Sequence, residues 1–245
     1  MSIQNRELLK GVALEKSFKK RRVVLGVSLQ IFQNEIVGLL GPNGAGKTTT
    51  FYMIAGFLTP DKGSIFLNRE EITRLSVPER ARKGIIYLPQ ESSVFRKLTV
   101  KENFEIVIEK FEERRKELEE KLEYYLQLFR LTQVLDQKTY TLSGGQKRKV
   151  EVVRALLVEP KFILLDEPFA GIDPIGIAQL KEIFLTLKKQ GIGLLISDHN
   201  VRDTLKICDR AYVIADGRII GEGSAEDLIA NELVQEKYLG ESFTI

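Results

Sequence analysis

The segment Gly41-Pro42-Asn43-Gly44-Ala45-Gly46-Lys47-Thr48 has the G-x-x-x-x-G-K-[ST] spacing of a phosphate loop. Glycines let the backbone curl until successive N–H groups point at one anion, and a helix opening straight after adds its positive dipole end. In such a loop the Lys47 ammonium reaches the β and γ phosphates and the Thr48 hydroxyl ligates Mg²⁺. A chance glycine turn is the alternative. The context argues against it, because Glu35–Leu40 reads as a buried strand and Thr48–Phe57 carries Phe51, Ile54 and Ala55 at helical spacing.

A second apolar run, Phe162-Ile163-Leu164-Leu165, ends in Asp166-Glu167. Acids at the C-terminal edge of a buried parallel strand face the crevice where such sheets bind ligands. Asp166 is placed to hold Mg²⁺ and Glu167 to take a proton from an attacking water. By itself this is weak, since Asp-Glu-Pro also ends strands as a plain turn. A third segment, Leu142-Ser143-Gly144-Gly145-Gln146, opens a helix reaching to Val158, with Ser143 as its N-cap. A hydroxyl, free N–H groups and a helix dipole together make a second surface that can read phosphate.

These residues need a scaffold that brings strand ends together. Ser64–Leu67, Gly84–Leu88, Phe162–Leu165, Gly193–Ile196 and Ala211–Ala215 read as strands, with helices between. Val23–Leu40 alternates as paired strands do, and Asp216-Gly217 marks a hairpin between Ala211–Ala215 and Arg218–Ile220. Thr99–Arg130 switches to spacings of three and four, which predicts two helices rather than a sustained coiled coil. No repeat or linker divides the chain. The expected fold is α/β: a phosphate-loop core with a mainly parallel sheet over about 1–90 and 160–222, an antiparallel N-terminal portion, a helical lobe over about 91–159, and a C-terminal tail at 223–245.

Composition narrows the class. The 245 residues are 43% hydrophobic and 29% charged, with 37 basic and 34 acidic residues and a net charge of +3. No concentrated basic stripe points to nucleic acid. The short runs Lys19–Arg22 and Lys147–Lys149 read as solvated faces. Cys208, the one cysteine, cannot pair within the chain and reads as a small buried hydrophobe. Met1–Lys10 has no signal-peptide pattern, and no apolar run nears the roughly 18 residues that span a bilayer. Service to a membrane would require docking onto proteins that cross it.

The ordered set GPNGAGKT, Gln90, LSGGQ, FILLDE, Asp173 and His199 resembles the nucleotide-binding subunits of ABC transporters over essentially the whole chain. The resemblance implies a head-to-tail homodimer binding two ATP molecules with Mg²⁺. Each ATP would lie between Gly41–Thr49 of one subunit (Thr49 included as a phosphate contact) and Ser143–Gln146 of the other. It implies that Gln90 meets Mg²⁺ and the attacking water, and that Asp173 lines the interface. His199, the single histidine, would contact the γ-phosphate; without the resemblance it would read as an ordinary core or surface residue. Phe18 would stack on adenine, the alternative being a strand-end core aromatic.

Finer segments, Ile36–Met53, Tyr87–Val100, Phe162–Ile175, Ser197–Leu205 and YLGESF at Tyr238–Phe243, resemble the ATPases of Gram-negative lipopolysaccharide export. That implies work at the cytoplasmic side of the inner membrane with two membrane-spanning permease subunits. Each would insert a short helix into a groove near Phe95 and Arg96, although Phe95 could instead pack inside the lobe. A branched-chain amino-acid importer and a soluble, non-transport cassette are the competing readings; a phosphate-loop kinase has no use for LSGGQ.

Overall fold

The computed structural model describes residues 6–19, 21–240 and 243. Among the described residues ten strands run β1 (Leu8–Phe18), β2 (Arg21–Phe32), β3 (Ile36–Leu40), β4 (Lys62–Leu67), β5 (Glu70–Glu71), β6 (Ile85–Leu88), β7 (Phe162–Asp166), β8 (Gly193–Ser197), β9 (Arg210–Ala215) and β10 (Arg218–Gly223). The helices are α1 (Lys47–Ala55), α2 (Val77–Arg82), α3 (Val100–Lys110), α4 (Arg115–Leu128), α5 (Gly144–Leu156), α6 (Pro174–Lys189), α7 (Val201–Leu205), α8 (Ala225–Ala230) and α9 (Glu232–Val234).

Two sheets form. The first is antiparallel with order β2-β1-β4-β5; the second has order β10-β9-β3-β8-β7-β6, parallel except for the β9–β10 hairpin turning at Asp216-Gly217. β3, β7 and β8 are buried along their whole length, as continuous apolar runs demand when both faces are covered. One face packs on α1 and the antiparallel sheet through Leu9, Ile31, Phe51 and Leu164. The other packs on α3–α6 through Phe104, Val153, Leu165 and Phe184.

The topology positions the chemistry. From β3 the chain crosses to β6, returns through β7 and β8, then steps over β3 to β9. The order therefore reverses around β3. Its C-terminal end, together with those of β8, β7 and β6, opens on one edge of the sheet, where a crevice must form. The loops after β3, β6, β7 and β8 carry Gly41–Thr48, Gln90, Glu167 and His199 respectively.

Capping sets the helix starts. Thr99 and Glu102 form a capping box at α3, Ser143 and Gln146 one at α5, and Asp173 accepts from the Gly176 N–H ahead of Pro174 at α6. At the far end of α1, fully buried Arg80 donates to the carbonyls of Met53 (2.7 Å), Ile54, Thr73 (2.9 Å) and Leu75 (3.0 Å). A guanidinium there complements the negative end of the helix.

One expectation about charge needs correction. Lys19, Arg21 and Arg22 are exposed and Lys20 lies outside the described residues, but Arg148 and Lys149 are buried at 5% and 7% exposure. The reason is that α5 is covered by α3, α4 and α6, so its basic residues find internal partners. Arg148 donates to the Pro89 carbonyl (2.8 Å) and pairs with buried Glu151 (3.0 Å), and Lys149 donates to Gln179 (2.6 Å). Cys208 is half-buried against the sheet, and burial pushes its thiol pKa up. Among the described residues no helix is long and apolar enough to cross a membrane. Of the N-terminal stretch Met1–Lys10, residues 1–5 lie outside the described residues, as do Glu241 and Ser242 of the YLGESF segment.

Candidate nucleotide-binding site

The loop after β3 is glycine-built for a steric reason. Gly41 has φ of 151°, and a Cβ there would meet the Ile214 carbonyl oxygen at 2.0 Å. Gly46 has φ of 110° and lies against the Val23 carbonyl. Beyond it Lys47 begins α1, and its ammonium folds back to donate to the carbonyls of Gly41 (2.7 Å) and Pro42 (3.0 Å). Burial lowers the lysine pKa, while Glu167, Asp166 and Asp198 act in the opposite sense. Asn43, Gly44 and Thr48 are exposed around the loop, Ala45 is buried beneath it, and Thr49 is half-buried on the first turn.

At the end of β7, Asp166 is 5% exposed, and both its oxygens are held. Oδ1 accepts from the Ser197 hydroxyl and Oδ2 from the Tyr87 hydroxyl at 3.1 Å. Glu167 follows with φ of 43°, a left-handed setting for a non-glycine residue, and its N–H donates to the Ser197 carbonyl (2.7 Å). The turn lifts its carboxylate out of the sheet. There Oε2 accepts from the Gln90 side-chain amide (2.8 Å) and lies 3.2 Å from His199 Nδ1. Among the described residues no hydrogen-bond donor reaches Oε1. His199 itself is 60% exposed.

Fully buried Asp198, next to His199, accepts from the N–H groups of Phe169 (3.3 Å) and Asn200 (2.7 Å). Burial pushes its carboxyl above the usual range. It ties the loop after β8 to the loop after β7, so Glu167 and His199 sit on braced backbone.

The structure thus brings Lys47, Gln90, Asp166, Glu167 and His199 together. The Ser143–Gln146 helix start stands elsewhere. Ser143 and Gly144 are exposed at the tip of α5, Gly145 is buried against Ile172, and no hydrogen bond joins this segment to Gly41–Thr49 among the described residues. Asp173 is likewise exposed, capping α6. Phe18 ends β1 at 45% exposure, which answers the alternative that it is a core aromatic. Phe95 is 47% exposed rather than packed in the lobe. Buried Asn103 binds its N–H (2.8 Å), the Thr139 hydroxyl binds its carbonyl (2.9 Å), and the Arg154 guanidinium lies 5.2 Å from its ring centre. Arg96 beside it is exposed. Tyr87, Ser197 and Asp198 were not singled out as site residues from sequence. For Ser197 a signal existed, a hydroxyl ending an otherwise apolar strand opposite Asp166 in register.

A phosphate loop at a topological switch point, with acids at the end of the strand two places along the sheet, defines a nucleotide-binding α/β cassette. Comparison with known proteins narrows that class. The family described as ABC transporter matches residues 24–170, more than half of the chain. The lipopolysaccharide export system ATP-binding protein LptB of Acidithiobacillus ferridurans is 49% identical over 239 residues, covering 98% of this chain and 99% of that protein. The protein of the same name from Escherichia coli K12 is 47% identical over 233 residues, covering 95% and 97%. Among solved structures, the ADP conformation of an ATP-binding cassette of an ABC transporter superposes with a TM-score of 0.86 at 31% identity, covering 96% of this chain and 100% of that one. The chain belongs to the ABC transporter family, as an ATP-binding subunit that hydrolyses ATP.

Proposed function

We propose that this ATPase powers the extraction of lipopolysaccharide from the inner membrane toward the outer membrane, working as a homodimer on the cytoplasmic face beneath two membrane-spanning permease subunits. The observation that carries the reading is the 47–49% identity, over nearly full length, to proteins named for lipopolysaccharide export. The test is purification from the native membrane, with bound proteins and lipids identified by mass spectrometry. Two membrane proteins and lipopolysaccharide are the expected companions; amino-acid cargo, or no membrane partner, overturns the proposal.

Within one subunit, Gly41–Thr49 cradles the phosphates, with backbone N–H groups and the Lys47 ammonium meeting the β and γ oxygens. Phe18 offers its exposed face to adenine. The exposed Thr48 hydroxyl, the buried Asp166 carboxylate and the Gln90 amide oxygen are hard oxygen donors, the set that suits Mg²⁺ alongside phosphate and water oxygens. When bound, Mg²⁺ neutralises charge that develops on the β and γ phosphates. Glu167 accepts the proton of the attacking water at Oε1; the water oxygen bonds to the γ phosphorus as the bridging oxygen leaves, giving ADP and phosphate. Gln90 and His199 hold the other carboxylate oxygen and keep the base aimed. Because the site lacks the Ser143–Gln146 surface, a second subunit supplies it, with Asp173 along the shared boundary. Closing that dimer on ATP and reopening it after hydrolysis is the stroke handed to the membrane.

His199→Ala removes a group that is mostly in solvent, so folding and ATP affinity stay as they are. The loss of orientation lowers hydrolysis by about one to two orders of magnitude, at the low end of what positioned acid–base groups contribute. A nucleotide-binding titration beside a phosphate-release assay separates the two effects.

The permease contact falls at a groove of about 900 Å³ between the edge strand β6 and the lobe helices, with Phe95 on its rim. Arg82, Lys110 and Arg154 line it with no ion-pair partner among the described residues, while Lys83, Arg114 and Lys161 pair with Glu70, with Glu117 and Glu159, and with Glu7, and its two carboxylates, Glu151 and Glu159, are paired as well. The groove therefore suits an acidic amphipathic helix. Arg96→Glu places a negative charge beside Phe95, next to the groove: the isolated cassette keeps its turnover, while assembly with the permeases weakens about tenfold or more, as loss of an interface hot spot does. Pull-down of the membrane subunits at equal expression measures it.

A further inference from the structure

The groove and the nucleotide site are built from different elements, yet one side chain belongs to both. Tyr87, on the edge strand β6, lines the groove. Its ring meets Tyr52 and Phe57, at the end of α1, in edge contacts with centroids 5.8 and 5.3 Å away. Its hydroxyl donates to Asp166 Oδ2 at 3.1 Å. The register explains the reach: Tyr87 lies opposite Leu164, and Asp166, two residues on, shares the face of Leu164. With Ser197 on Oδ1, two neutral hydroxyls fix the plane of the carboxylate, leaving its remaining lone pairs for the nucleotide side.

The geometry points to Tyr87 as a positioning residue for Asp166, its hydroxyl setting the carboxylate while its ring senses whether the groove is filled. A helix seated in the groove presses on Tyr87, whose ring is backed by Tyr52 and Phe57, and any shift of the ring moves the oxygen that holds Asp166. The communication needs one side chain and no hinge. The sensing half rests on the reading of the groove as the permease contact; the hydroxyl–carboxylate half does not.

Tyr87→Phe keeps the ring in the groove wall and deletes only the oxygen. In the isolated cassette, binding of Mn²⁺ in the presence of ADP, followed by electron paramagnetic resonance, weakens about fivefold, equivalent to about 1 kcal/mol. ADP affinity without metal stays with the parent chain, and the melting temperature falls by only about 2–4 °C, the cost of leaving Asp166 Oδ2 without that donor. A hydroxyl that only satisfies the core leaves the Mn²⁺ curve unmoved, and coincident curves overturn the assignment. In the assembled transporter, the stimulation of ATP hydrolysis by the permeases at saturating Mg²⁺ falls at least threefold, in proportion to the lost hydrogen bond. A weakened Mn²⁺ curve with unchanged stimulation overturns the sensing half. Failure of the parent cassette to assemble with permeases strikes the reading of the groove, and leaves the Mn²⁺ result to judge Tyr87.

Discussion

Glu167→Gln lowers the rate of ATP hydrolysis by about two to four orders of magnitude, the range assigned to a positioned general base, while ATP still binds. The amide matches the carboxylate in size and keeps an acceptor for the Gln90 amide, so the braced turn after β7 is preserved. What it loses is the ability to take a proton at Oε1, the oxygen that no donor of the described chain occupies. With binding intact and cleavage blocked, the closed dimer accumulates. Size-exclusion chromatography with ATP and Mg²⁺ then shows a stable dimer from the variant and a transient one from the parent chain. A closed state persists only through contacts that the open one lacks, and uncleaved γ-phosphate shared by two subunits supplies them. Turnover at the parent rate would assign the base to another residue. The left-handed backbone at Glu167 adds a second check. Glu167→Gly relieves the φ of 43° and removes the carboxylate, so it folds at least as readily and hydrolyses no faster than the glutamine variant.

The parts of this site that were legible in the sequence are those fixed by local chain geometry. A glycine loop between an apolar strand and a helix, acids closing another apolar strand, and Ser-Gly-Gly at a helix start all depend on neighbours within a few residues, and each stands on the element expected. The helical spacing of Thr99–Arg130 resolves into α3 and α4 joined by a short 3₁₀ turn at Glu112–Arg114, and Asp216-Gly217 turns the β9–β10 hairpin. Strand order was not legible, because the convergence of four loops depends on β3 lying between β8 and β9, which no local pattern encodes.

Burial of a charged side chain is hidden from local pattern for the same reason. Arg148 and Lys149 look like solvated helix residues until α6 and the Pro89 carbonyl are placed beside them. Arg80 takes two of its four carbonyl partners 26 and 27 residues away, at the end of α1. A polar residue inside a folded chain advertises itself only through the group that satisfies it. Tyr87 shows this most clearly: within β6 it reads as one more strand aromatic, and its chemistry exists only across the register with β7.

Ser143→Asp separates stability from activity by giving them opposite signs. Ser143 caps α5 by accepting from the Gln146 N–H at 3.2 Å, and Asp is as good an N-cap as Ser. A carboxylate at the positive end of the helix also gains from the dipole, by about 0.3–1 kcal/mol. Since Ser143 is exposed, the extra atoms meet solvent rather than the core. The variant therefore melts at or slightly above the parent temperature. ATP binding to the isolated chain is unchanged as well, because Gly41–Thr49 lies apart from α5. Hydrolysis in the assembled transporter nonetheless falls by about two orders of magnitude or more: a serine that donates to phosphate becomes an anion facing it across the dimer, and like charges brought that close in a closed site repel strongly. Calorimetric melting, nucleotide titration and phosphate release on one preparation read all three quantities. Full turnover from this variant would mean that a single chain completes its own pocket, and ATP would then have no reason to draw two subunits together.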